Sequence, residues 1–70
     1  MEAFSPAAWY QRPDGAWVAV IVPAADYDPA PLVGTRVTLS GTPFLVTAIE
    51  THLDPEPPGP AFGLRVGVIP

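Results

Sequence analysis

Residues 8–22 read AWYQRPDGAWVAVIV, two strand-forming runs on either side of the tetrapeptide RPDG at 12–15. Proline fits the second position of a type I turn, aspartate the third, and glycine the left-handed position that follows. Such a turn closes a three-residue hairpin loop. The stretch therefore predicts an antiparallel hairpin of residues 8–12 with residues 16–22. Pro23 ends the second strand because it cannot donate to a ladder.

A second hairpin is predicted from residues 35–40 with residues 44–51, and a last strand from residues 63–69. Glycine at the first turn position favours a type II′ turn at residues 41–42. The register that follows makes two apolar cross-strand pairs, Leu39 with Phe44 and Val37 with Val46.

The segments between these strands are predicted loops. Residues 23–34 and 52–62 are rich in proline, which opposes helix and favours stiff, solvated connections. Residues 1–7 are expected to form an N-terminal arm with Phe4 as its large anchor, and residues 8–70 a single small β domain. Five strands without a helical period predict an all-β fold, either a small barrel or a sandwich.

Residues 33–50, VGTRVTLSGTPFLVTAIE, resemble the central hairpin of SH3-like small β-barrels. The recurring pattern there is a glycine, a strand, a glycine turn, an aromatic residue and a second strand that ends polar. Barrels of this kind recur among virion structural proteins of tailed bacteriophages. The resemblance implies an SH3-like barrel with a structural role as a head decoration, head-tail connector or tail piece. The location would then be the virion, and otherwise the cytoplasm.

The apolar content is high for 70 residues, at 49% hydrophobic and 14% charged. Residues 16–22 and 44–49 are apolar on both faces, and such strands need cover on both sides. A chain of this length buries only about 60% of its surface. Cysteine is absent, so disulfides and thiolate metal sites are excluded. We therefore expect contacts with other copies of the chain or with other proteins of an assembly.

Three arginines against seven carboxylates give a net charge of −4. This balance provides no basic surface for nucleic acid and disfavours anionic membranes. No apolar run reaches the roughly 18 residues of a membrane span. The first residues also lack the basic region of a secretory signal.

Chemical motifs are weak in this sequence. Glu50, His52 and Asp54 alternate as metal ligands or acid–base groups would, but they also fit a polar strand end entering a loop. Residues 26–28 hold two aspartates without the spacing of a calcium loop. The PxxP spacing at residues 57–60 lacks the usual flanking base, which favours a stiff connection. No nucleophile elbow accompanies the single histidine. We predict no catalytic residue, cofactor or metal, and thus a protein that is not an enzyme.

Aromatic residues are the best candidates for binding. Trp9 and Tyr10 are neighbours on a strand and must point to opposite faces, so only one of them can reach the core. Exposed aromatic side chains commonly anchor protein interfaces. The predicted interface residues are Phe4, Trp9, Tyr10 and Trp17. Two alternatives to a structural role stay open: an adaptor or regulator that binds one partner by a sheet edge, and a metal-binding module.

Overall fold

A computed structural model describes residues 2–23, 27–53 and 59–69, which form one mixed β-sheet of six strands. In chain order the strands are β1 (Glu2–Phe4), β2 (Ala8–Gln11), β3 (Trp17–Ile21), β4 (Arg36–Leu39), β5 (Thr42–Glu50) and β6 (Phe62–Gly67). Their order across the sheet is β1-β4-β5-β6-β3-β2. Only β1 and β4 run parallel. The described residues contain a short 3₁₀ turn at Ala30–Leu32 and no α-helix. The all-β class is confirmed.

The sheet is curled but not closed. Its two edge strands, β1 and β2, are joined by residues 5–7 alone, so the two edges must lie near each other. Backbone hydrogen bonds from Ala7 to Val20 and from Ser40 to Phe4 hold this segment against both halves of the sheet. A five-stranded SH3-like barrel is therefore not confirmed, because the strand count is six and no ladder joins β1 to β2.

The additional strand comes from the segment expected to be an arm, residues 1–7. Residues 2–4 pair with β4 of the same chain, in the register Glu2 with Val37 and Phe4 with Leu39. Nothing in the local pattern of this tripeptide predicts a strand, since it forms by pairing with residues some 35 positions away in the chain.

The first hairpin is confirmed. Strands β2 and β3 are antiparallel, and Gly15 has a φ of +93°, as the turn requires. The amide of Gly15 donates to the carbonyl of Arg12 at 2.9 Å, and the amide of Arg12 donates to Ala16 at 2.8 Å. Turn chemistry alone thus sets the register of this hairpin.

The second hairpin forms, but its predicted register is wrong by two residues. Leu39 pairs with Thr42, and Val37 pairs with Phe44. The turn lies at Ser40 and Gly41, with φ values of 51° and 83°, the left-handed conformations of a type I′ turn. A shift of two keeps every side chain on its predicted face, whereas a shift of one would reverse them all.

A β-bulge in β5 explains in part why the sequence of residues 44–49 reads as apolar on both faces of a strand. Val46 pairs with Val66 and Ile49 pairs with Leu64, which leaves one extra residue on β5. The hydroxyl of Thr47 donates to the carbonyl of Arg65 at 3.1 Å at this point. In a regular strand, residues three positions apart lie on opposite faces, and the extra residue of the bulge brings them to the same face. Val46 and Ile49 therefore both face the core.

Strand β3 is buried on both faces, as its composition predicts. On the concave face lies the main core, formed by Ala19, Ile21, Leu32, Val37, Leu39, Val46, Phe62, Leu64 and Val66. On the convex face Val18 is 0% exposed and Leu53 is 8% exposed. A Cβ atom at Gly63 would lie 2.7 Å from Val18 Cγ1 and 2.9 Å from Leu53 Cδ2. The missing side chain of Gly63 thus makes room for this second apolar layer.

Candidate protein-binding site

Four apolar side chains line an open cleft of about 390 Å³, namely Trp9, Trp17, Phe44 and Val68. The β2–β3 hairpin brings the two tryptophans to one face, because Trp9 pairs with Ala19 and Trp17 with Gln11, two residues along each strand. The curl of the sheet brings β5 opposite them. The ring centroids of Trp9 and Phe44 are 5.6 Å apart with their planes at 52°. We call this feature the aromatic cleft.

The aromatic cleft is exposed and lacks charge. Trp9, Trp17 and Val68 retain 37%, 49% and 85% of their accessible surface. The indole N–H groups are the only side-chain polar atoms in its lining. Sites for catalysis or polar ligands need several convergent polar groups. The aromatic cleft instead suits an apolar part of a protein partner, since tryptophan is enriched among residues that dominate binding energy.

Two of the four predicted interface residues meet in the aromatic cleft. Trp9 and Trp17 line it, whereas Tyr10 lies on the opposite face of β2, half-buried, with its hydroxyl donating to the carbonyl of His52 at 3.4 Å. Phe4 packs within its own chain, with its ring 6.0 Å from Tyr27 and 6.4 Å from Phe62.

Phe44 and Val68 were not among the predicted interface residues. Phe44 lies on an inward-facing position next to a turn, and Val68 follows the end of β6. Alternation along β5 indicates the inward direction of Phe44. No local sequence pattern indicates that the curled sheet places Phe44 and Val68 beside the two tryptophans.

The candidate metal ligands are not brought together in the part of the chain that is described. Glu50 Oε1 lies 3.8 Å from Arg12 Nε and 3.8 Å from Arg65 Nη1, and His52 is exposed. Across residues 2–23, 27–53 and 59–69, no three histidine or carboxylate side chains cluster as metal ligands would.

Other parts of the predicted motifs lie outside the described residues, namely Asp54, Asp26 and Pro57-Pro58. Of the two aspartates at residues 26–28, Asp28 is described, and its Oδ1 accepts a hydrogen bond from the amide of Ala30 at 3.0 Å. This bond forms an Asx turn just before the 3₁₀ turn, so Asp28 has a local structural role.

The charged side chains of β5, β6 and the first turn neutralise one another on the convex face. Arg65 donates to Asp14 Oδ2, and Glu50 lies between Arg12 and Arg65. A hydrogen bond from the amide of Ala16, and then that from Arg65, lower the pKa of Asp14 from its ordinary value of 3.8. These charges link the turn to the centre of the sheet and do not face the aromatic cleft.

Asp14 is expected to make the stability of the fold depend on pH in the acidic range. Because its folded pKa lies below 3.8, its carboxylate stabilises the fold above that pH, and the contribution disappears as pH falls through the folded value. Asp14→Asn keeps an oxygen acceptor for Ala16 and removes the charge. The melting temperatures of the two proteins should differ at about pH 6, and the difference should shrink as the pH is lowered below 3.8. A difference that stays the same across this range would contradict this role.

The chain matches no protein-family model, and no curated protein or solved structure has significant similarity to it. Within the described ranges, no helix has the length and apolar character needed to cross a bilayer.

Proposed function

We propose that this protein is a non-enzymatic structural component of a larger protein assembly, of the kind found in tailed-bacteriophage virions. It binds a neighbouring protein through the aromatic cleft. The observation that carries this proposal is the uncovered pair of tryptophans, Trp9 and Trp17, in a lining without charged groups.

A partner that covers the aromatic cleft would gain a binding free energy that is considerable for so small a chain. A tryptophan side chain buries roughly 200 Å² when fully covered. Trp17 is 49% exposed, so a partner that covers it removes on the order of 100 Å² from water. At about 25 cal/mol per Å², this one side chain contributes roughly 2.5 kcal/mol to binding.

The virion assignment rests on the resemblance to SH3-like barrels, and the arrangement of strands supports it in one respect. Strands β1 and β2 are separated by residues 5–7 and pair with opposite edges of the remaining sheet. Counted as two halves of one bent strand, they give the five strands of such a barrel.

An adaptor function is the second candidate, and the exposed edge of β2 favours it. Strand β2 (Ala8–Gln11) pairs only with β3 among the described strands, so its other edge can accept an extended peptide. A peptide added there would bind mainly through main-chain hydrogen bonds. Substitution of cleft side chains would then have little effect.

Association should be measured with Trp17→Arg and, as a matched control, Val33→Arg. The two side chains are 49% and 47% exposed, and Val33 does not line the aromatic cleft. We expect the wild-type chain to associate in sedimentation experiments or to capture proteins produced with it. Trp17→Arg should weaken that association by roughly 30-fold, as loss of an anchor worth about 2 kcal/mol would.

Val33→Arg should change the affinity less than about twofold, because surface positions outside the contact contribute little. Equal weakening by both variants would point to a non-specific effect of the added charge. A wild-type chain that stays monomeric and binds none of the proteins produced with it would contradict the proposal.

A further inference from the structure

Strand β1 is joined to the sheet by the shortest ladder among the described strands. It pairs with β4 alone, from Glu2 with Val37 to Phe4 with Leu39. The amide of Ser40 donates one further hydrogen bond to the carbonyl of Phe4 at 3.3 Å. Few backbone contacts therefore have to break for this strand to leave the sheet.

The site that receives β1 is built without any part of the N-terminal segment. The ring of Phe4 meets Tyr27 at 6.0 Å and 78° and Phe62 at 6.4 Å and 88°, and it packs against the main core. Together with β4 and Ser40, these two rings lie at positions 27–62 of the chain. The receiving site is thus complete in each copy, and residues 2–4 of another copy would make the same contacts there.

A connection of two residues separates β1 from β2. Hydrogen bonds to the sheet hold the carbonyl of Phe4 on one side and the amide of Ala7 on the other, so only Ser5 and Pro6 lie between them. Proline fixes its own φ and restricts the residue before it to extended conformations. The chain then bends at Ala7. Straightening of that single bend would make residues 2–11 one extended strand.

We propose that two copies of this chain exchange β1, so that residues 2–4 of each copy pair with β4 of the other. In the extended form, at about 3.3 Å per residue, position 2 lies roughly 20 Å from position 8, which is enough to reach a copy in contact. The exchange keeps every hydrogen bond and ring contact of β1. It is a contact separate from the aromatic cleft, so it goes beyond the proposed function and can fail without affecting it.

Protein concentration decides between the closed and the exchanged form. Because β1 makes the same contacts in both, the balance depends on how often it meets its own β4 or that of a neighbour. A short tether gives an effective concentration of about 1 mM. Exchange should thus involve about half of the chains at about 1 mM and only a few per cent at about 10 µM. Copies held side by side in an assembly would favour the exchanged form.

Two single-cysteine variants test the exchange. The sequence contains no cysteine, so Ala3→Cys and Thr38→Cys carry one thiol each. Positions 3 and 38 are register partners on β1 and β4, at a separation that a disulfide spans. The variants are mixed in equal amounts at about 1 mM in a glutathione redox buffer. We expect the mixed disulfide dimer to exceed the two same-variant dimers together by at least about fivefold, because exchange holds these two thiols side by side.

A mixture of Ala3→Cys with Thr47→Cys is the matched control. Thr47 is an exposed threonine on β5, two strands away from β1. This mixture should give mixed and same-variant dimers in the ratio of random pairing. An equal yield of mixed dimer with Thr38→Cys and with Thr47→Cys would overturn the exchange.

The double variant Ala3→Cys/Thr38→Cys verifies that the two thiols meet in a folded chain. At about 10 µM it should close a disulfide within one chain, and at about 1 mM about half of the chains should become covalent dimers. Closure within one chain at both concentrations would overturn the exchange and leave the proposed function, which depends on Trp17, untouched. A double variant that closes at neither concentration would contradict the receiving site itself.

Discussion

Gly63→Ala is expected to lower the free energy of unfolding by about 2–3 kcal/mol, the upper part of the range for overpacking. The new Cβ atom would lie 2.7 Å from Val18 Cγ1, 2.9 Å from Leu53 Cδ2 and 3.0 Å from Glu50 Cβ. Val18 is fully buried and β-branched, so it cannot turn away without strain. For a domain of this size the melting temperature should fall by roughly 4–8 °C per kcal/mol.

Gly67→Ala is the matched control on the same strand. A Cβ atom at Gly67 meets only Thr47 Cγ2, at an ordinary 3.8 Å. Its unfolding free energy should change by less than about 1 kcal/mol, and loss of glycine freedom in the unfolded chain favours a small gain. Val18→Ala combined with Gly63→Ala should cost less than the sum of the single changes, because the smaller side chain makes room. Equal melting shifts for Gly63→Ala and Gly67→Ala would contradict the close packing.

Leu64→Ala is expected to cost about 3–4 kcal/mol. Leu64 is 0% exposed and lies between Ala19 on β3 and Ile49 on β5, at the centre of the concave core. Removal of a fully buried leucine loses its transfer free energy and leaves a cavity that the neighbours fill only in part. Small domains are stable by only several kcal/mol, so a large fraction of this variant should be unfolded at physiological temperature.

Chemical denaturation at low protein concentration provides the measurement, because association of folded chains adds stability that rises with concentration. Leu45→Ala is the comparison, since Leu45 is partly exposed on the convex face of β5, and it should cost less than half as much. A Leu64 variant that unfolds at the denaturant concentration of the Leu45 variant would contradict the assigned core.

The features that could be predicted from the sequence are local ones. Proline, aspartate and glycine at 13–15 specify their own turn, so the first hairpin and its register follow directly. The opposite directions of Trp9 and Tyr10 follow from strand geometry. The second register did not follow, because serine seldom adopts a left-handed conformation and nothing about Ser40 indicates that it does so here.

The features that could not be predicted arise from contacts between distant segments. The parallel pairing of residues 2–4 with β4 depends on where the rest of the sheet places that edge. The aromatic cleft depends on the curl that brings Phe44 across to Trp9. The sequence thus indicates that some aromatic side chains stay outside the core, but it does not indicate which of them lie on the same surface.

The position of β6 has a consequence for the order of folding. It is the last of the described strands in chain order, yet it lies in the middle of the sheet, between β5 and β3. The two hairpins on either side of it share no ladder with each other. During synthesis we expect the two hairpins to stay separate, each with its apolar face uncovered, until β6 leaves the ribosome and pairs with both. Because β3 and β6 are far apart in the sequence, we expect their pairing to be a late step of folding.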